Sequence, residues 1–293
     1  MKTSLMCMEC NVSQVIKVSK LLNVSKEKQE TAVKRIFKEL SKVSYDKSNP
    51  EIMGEVTWKV MSEVFGNDNP YKEVKEIYNT LLMRMYSDLE QLINGSENKL
   101  DLALKMAVIG NVIDFAARHK FSKVELLDRI KKVNEIDFAI DYRESLWKKL
   151  NTCKQLLYIG DNCGEIVLDK LFIQTIKEFY PNIKVYFGVR GKPIINDVTF
   201  EDAEQVKMSE VATVISSGVA YPGTVLSKSS KEFNNIFNES EVVIAKGQGN
   251  YESLSDDKRK GLFLVLLAKC SYIANSIGVH KMDYIIKENL RGN

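Results

Sequence analysis

Asp161 and Asn162, in the stretch LLYIGDNCGEIVLD, stand where an apolar run stops and an acidic, amide-bearing turn begins. The run 156–159 reads as a buried strand, and Gly164 with the amphipathic segment 166–179 reads as the helix that follows. In open α/β sheets ligands bind outside the carboxyl ends of the strands. Asp161 offers a carboxylate and Asn162 an amide oxygen, hard donors suited to Mg²⁺ or Mn²⁺. A second turn of the same kind follows the run KVYFGV and carries Asn196 and Asp197. Two oxygen-rich strand ends could converge on one divalent cation. Read singly, Asp or Asn after a strand is commonly a helix N-cap; the repetition at a second strand end weighs against that reading.

Three more strand ends are polar. Beyond Glu165 and Arg190, the third carries Ser216, Ser217 and Gly218, the fourth Lys246, Gly247, Gln248, Gly249 and Asn250, and the fifth Lys269 and Cys270. Glycines let the backbone approach an anion, and lysine brings a point charge to phosphate oxygens. Together they suit a phosphate beside a metal. Each also has a plain reading: Lys246 as a surface lysine, KGQGN as a flexible turn, Lys269 as a strand's exit to solvent. In MAVIGNVIDFAA, Asn111 and Asp114 are three apart and share a helical face, as a brace toward the site or an ordinary hydrogen-bonded pair. With only two histidines, His119 and His280, the chemistry falls to carboxylates, amides and lysines.

The elements that must position these residues divide into two. The 293 residues are 44% hydrophobic, enough for about two folded units. Residues 1–150 look helical throughout, with apolar spacing of three and four in the segments 15–22, 32–40 and 74–85. Asn49-Pro50 and Asn69-Pro70 read as N-cap and first-turn pairs, and Asn94-Gly95 as a stop. No strand is expected before Leu156. From residue 154 on, the runs QLLYIG, IKVYFGV, ATVISS, EVVIA and LFLVLLA alternate with helical segments. That pattern predicts right-handed βαβ units. The expected fold is α/β: a Rossmann-like, mainly parallel sheet with helices on both faces in 151–293, plus an all-helical subdomain in 1–150. No GxGxxG follows the first strand, which argues against a dinucleotide.

Several function classes are disfavoured. The net charge is only +3 and no dense basic block is present, against nucleic acid as a partner. The longest apolar stretch, 262–268, is too short to span a membrane. MKTSLMCMEC lacks the apolar core of a secretory signal, so a cytoplasmic location is expected. Five cysteines form no disulfide framework in that setting. Cys7 and Cys10 make one CxxC without the further ligands of a structural zinc site.

CMEC, GNVID, DNCGE, RGKPIINDVTFEDA, KGQGNYESL and LLAKC occur in this order over nearly the whole chain. With them the chain resembles the metal-dependent damage-control phosphatases, the ARMT-like family formerly grouped as a domain of unknown function. The likeness is to the microbial branch with an N-terminal CxxC and a KGxGN motif. The resemblance implies a helical subdomain on a Rossmannoid core and one divalent cation (Mn, Ni, Co or Mg) held by Asp161, Asn162 and Asp197. It implies that Asn250 and Lys269 contact the phosphate or sugar and that Glu165 and Lys246 line the same pocket; Ser217 is counted with this phosphate-binding set, and Lys269 with the catalytic one. The implied reaction is hydrolysis of phosphate monoesters of small, damaged or harmful metabolites such as sugar phosphates. The absence of a DxD signature favours activated water over attack by Asp161. Two alternatives stay open: a carboxyl methyltransferase using S-adenosylmethionine, and a metal or thiol sensor built on Cys7, Cys10 and Cys270. The physiological substrate and the oligomeric state are not legible in the sequence.

Overall fold

The computed structural model describes residues 1–44, 49–110 and 132–289. Asn111, Asp114 and His119 lie outside the described residues. Six helices come first: α1 (Met6–Leu21), α2 (Lys26–Leu40), α3 (Pro50–Phe65), α4 (Lys72–Met83), α5 (Tyr86–Asn94) and α6 (Lys99–Ile109). Then come β1 (Phe138–Asp141), α7 (Arg143–Leu150), β2 (Gln155–Ile159), α8 (Glu165–Phe179), β3 (Lys184–Val189), α9 (Phe200–Gln205) and β4 (Thr213–Ser216). The chain closes with α10 (Lys231–Glu239), β5 (Val242–Lys246), α11 (Gln248–Leu254), β6 (Leu262–Leu267), α12 (Ser271–Ile277) and β7 (Tyr284–Glu288).

The seven strands form one sheet in the order β1-β7-β6-β5-β2-β3-β4, parallel except where β7 runs against β6. All five expected strands are present as β2 to β6. Because side chains alternate across a strand, the sheet's two faces feed separate cores. Tyr158, Phe187, Ile244 and Val265 pack with α4, α6 and α8 on one face; Leu157, Ile159, Val243 and Leu264 pack with α10, α11 and α12 on the other. Helices α1 to α3 enclose a third cluster around Val15, Ile36, Leu40 and Met61, which the sheet half enters through Ile194.

Three expectations need correction. A strand does precede Leu156: β1 pairs in parallel with β7, on the amino-terminal side of the division expected at residue 150. It has four residues of alternating half-burial at the sheet's edge, too short to stand out from helical sequence. The antiparallel β7 was also unforeseen. Asn49 does cap α3, accepting from the Ile52 amide, but Asn69-Pro70 stops short of α4, which begins at Lys72 with no side-chain cap.

Strand order reverses between β2 and β5. From β2 the chain winds out to β3 and β4, then returns to β5 on β2's other side. Such a switch point leaves a crevice between two diverging loops, here those carrying 160–164 and 247–250.

Candidate active site

The loops after β2 and β3 are stitched together by their backbones. Asn162 and Asp197 form an antiparallel bridge; the Val198 amide donates to the Asp161 carbonyl at 2.9 Å and the Cys163 amide to the Asn196 carbonyl at 2.9 Å. Thirty-five residues of separation are thereby closed without reliance on side chains. The β5 loop completes the crevice because it carries glycine. Gly247 has φ +84°, and a Cβ there would stand 1.9 Å from the Asp161 carboxylate. No other residue fits under that carboxylate.

Asp161, Asn162 and Asp197 are all buried. The Asn162 amide nitrogen donates to Asp161 Oδ2 at 2.6 Å and to Glu165 Oε2 at 3.1 Å. Arg190 Nε donates to Asp197 Oδ2 at 2.8 Å and its Nη2 stands 4.0 Å from Asp161 Oδ1. One oxygen on each of the three side chains accepts no hydrogen bond among the described residues: Oδ1 of Asp161, of Asn162 and of Asp197. The electrostatics match that geometry. Burial, then the charges of Glu165 and Asp197, hold Asp161 well above the usual carboxylate range. Burial also raises Asp197, against the pull of Arg190. Two buried carboxylates that cannot comfortably share their charges call for a proton or a cation. Two carboxylates and an amide make the oxygen-only donor set that Mg²⁺ or Mn²⁺ accepts. Among the described residues no three His, Cys, Asp or Glu side chains gather to hold a metal by themselves, so a cation here would need the amide as its third donor.

The residues expected to meet phosphate separate into two groups. Lys269 is half-buried, and its charge reaches both Asp161 and Asp197. Its amide is pinned by Gln248 Oε1 at 3.0 Å. Glu165, Ser217, Lys246 and Asn250, by contrast, each expose 1% or less of their surface. Lys246 is not the surface lysine of its plain reading: its ammonium donates to the Ala107 carbonyl, Glu165 and Asp169 at 2.7, 2.6 and 2.7 Å. Asn250 ties its loop to the core, donating to the Lys246 carbonyl at 2.7 Å and accepting from Thr224 at 2.8 Å. Ser217 donates to the Val219 carbonyl. Glu165, Lys246 and Asn250 pack against the site residues or their partners, whereas Ser217 is bonded within its own turn.

Several residues that position the site carried no role in the sequence. Arg190, 1% exposed, bridges Asp197, Thr224 and Asn250. From α4, Lys75 donates to the Asp197 carbonyl at 2.8 Å and pairs with Asp202 at 2.5 Å. Asn79 accepts from the Gly164 amide at 2.6 Å and donates to Asp202 at 3.0 Å. One signal existed: Lys75 and Asn79, four apart, share the buried stripe of α4 with Tyr78 and Leu82, where polar side chains need a reason to be.

The cysteines of the sensor reading do come near one another. Cys7 and Cys10 lie on α1, within electrostatic reach of Cys270. All five cysteines are free thiols. Partial burial pushes Cys7 up to about 11, which keeps it protonated and weakly nucleophilic at neutral pH, while Cys10 is exposed.

A profile of the damage-control phosphatase ARMT1-like domain matches residues 3–285. The chain belongs to that family. It is 32% identical to the damage-control phosphatase PH1575 of Pyrococcus horikoshii over 99% of both chains. It is 29% identical to a damage-control phosphatase of Archaeoglobus fulgidus, over 98% of this chain and 99% of the other. An uncharacterized protein of Methanocaldococcus jannaschii, MJ0202, shares 32% identity over 96% of this chain and 93% of its own. The crystal structure of the Pyrococcus horikoshii protein, described as a DUF89 family protein, superposes with a TM-score of 0.91 at 31% identity, covering 99% of both chains. The fold and family expected from the ordered motifs therefore hold.

Proposed function

We propose that this protein is a divalent-cation-dependent phosphatase acting on phosphate monoesters of small metabolites, sugar phosphates among them. Family membership and relatives named damage-control phosphatase support the phosphatase role. The observation that carries the metal requirement is the trio of unbonded oxygens on Asp161, Asn162 and Asp197, in a pocket where burial penalises the two carboxylates' own charges.

Asp161, Asn162 and Asp197 would hold the cation. The chemistry such a cation would supply is charge to polarise a phosphoryl group and to make a bound water more acidic. The chain's own groups do the rest. Lys269 faces the crevice as the mobile cation for a phosphate oxygen, offsetting charge that builds on the equatorial oxygens during transfer. Arg190 keeps one edge of Asp197 occupied, so the other edge is the one presented. Lys75 and Asn79 fix the backbones of the two ligand loops, and Gly247 lets the third loop close against Asp161. The acidic turn after β2 offers no adenosine-binding glycine loop, and nothing in the geometry favours methyl transfer.

Protein stripped with chelator should release no phosphate from a generic phosphomonoester, and Mn²⁺, Co²⁺, Ni²⁺ or Mg²⁺ should restore release. Asp161→Ala should abolish the restored activity while keeping a native circular dichroism spectrum. Full activity in chelator, or in Asp161→Ala, would overturn the reading.

A further inference from the structure

A primary amide has two unlike ends, and only its oxygen can bind a cation. The geometry around Asn162 selects that end. Its nitrogen is gripped by two acceptors, Asp161 Oδ2 at 2.6 Å and Glu165 Oε2 at 3.1 Å. The Glu165 carboxylate, paired with the Lys246 ammonium through its other oxygen, accepts from that nitrogen, so the NH₂ faces Glu165 and the amide oxygen is left on the crevice side.

What holds this fully buried glutamate in place is Lys246, equally buried and 2.6 Å from Glu165 Oε1. The ammonium is itself held in place. Its two other contacts are the Ala107 carbonyl of α6 at 2.7 Å and Asp169 Oδ1 at 2.7 Å, and Asp169 is steadied by the Tyr158 hydroxyl at 2.5 Å. Burial opposes the lysine's charge, but Asp169 and Glu165 outweigh it and push the ammonium above its ordinary value. All three ammonium protons have acceptors, leaving none for a phosphate.

Resting on the metal-dependent reading above, we propose that Lys246 is a positioning residue: by pinning the Glu165 side chain against the Asn162 nitrogen it orients that amide, oxygen outward, and it does not touch substrate. Outer-shell partners of this kind typically carry about 10–100-fold in metal affinity.

The test uses full-length ¹⁵N-labelled protein without metal. The Asn162 side-chain NH₂ signal, identified by its loss in Asn162→Asp, should be shifted away from the free-amide region in the wild type. Two variants should return it there: Glu165→Gln, which keeps the side chain's shape, and Lys246→Met combined with Asp169→Asn, which preserves the net charge of the cluster and so protects folding. Both should weaken Mn²⁺ binding in equilibrium dialysis by about 10–100-fold. An unchanged Asn162 signal in Glu165→Gln overturns the proposal, as does unchanged Mn²⁺ affinity in the double variant. If the signal responds but the wild type binds no divalent cation, amide positioning stands and the metal-dependent reading falls.

Discussion

Two contacts between the helical half and the sheet half bury carboxylates, and they neutralise them differently. Beneath the site, Glu165 and Asp169 share Lys246, which also reaches the Ala107 carbonyl on α6. Between α3 and α11, Glu51 is 1% exposed and both its carboxylate oxygens lack a donor. The Glu252 carboxylate lies within electrostatic reach, with no cation between the two among the described residues to offset their charges. Burial and then the Glu252 charge push Glu51 well above the usual carboxylate range. The amino terminus, whose charge also reaches this pair, is engaged by Asp256 at 3.0 Å. The first contact is charged and fixed, suited to aiming a ligand. The second depends on a proton drawn from solvent, so its strength follows pH.

The largest effect should come from removing the fixed cation. Lys246→Met leaves two buried carboxylates unpaired and should cost about 3–5 kcal/mol in urea unfolding; adding Asp169→Asn should recover part of it. A negligible cost would mean the floor is neutralised as the α3–α11 contact is, by protons.

A smaller effect of opposite sign is expected at the mouth. Asp161→Asn removes a like charge from a buried cluster. In metal-free protein it should raise stability by about 1.4 kcal/mol, the worth of one pKa unit. Added Mn²⁺ should raise the melting temperature of the wild type far more than that of the variant. If Asp161→Asn melts lower than the metal-free wild type, Asp161 is a structural carboxylate and the comparison fails.

The smallest effect should be at Glu51. The folded chain holds a proton there that the unfolded chain releases above the ordinary value of 4.5. Wild-type stability from this contact is therefore greatest at acid pH and falls as pH climbs from 4.5 toward the raised folded value. Glu51→Gln, neutral at every pH, should be more stable than wild type by about 1 kcal/mol near neutral pH, a margin that shrinks toward acid. Melting curves of both proteins across that range would show it, and a pH-independent difference would contradict the raised Glu51 carboxyl.

Much of this was legible because it is local. Short continuous apolar runs followed by polar or glycine-bearing turns mark strand ends, and five of the seven described strands were visible that way. β1 and β7 were not: one is four residues at a sheet edge, the other an antiparallel strand whose pairing with β6 is a long-range event. Asp161, Asn162 and Asp197 were named from their turns. Asn111 and Asp114 lie beyond the described residues.

The amino-acid sequence by itself determined the donor chemistry: oxygens and lysines in place of imidazoles, set after strands in an order shared with one family. Which lysine could reach a ligand was decided only by the tertiary structure. Lys246 and Lys269 both follow apolar strands and look alike in one dimension, yet one is sealed among Ala107, Glu165 and Asp169 while the other remains half-exposed at the crevice. Burial and partners come from segments more than 75 residues apart. Local sequence does not record such distances, and at a buried site they decide whether a charge meets substrate or holds the scaffold that does.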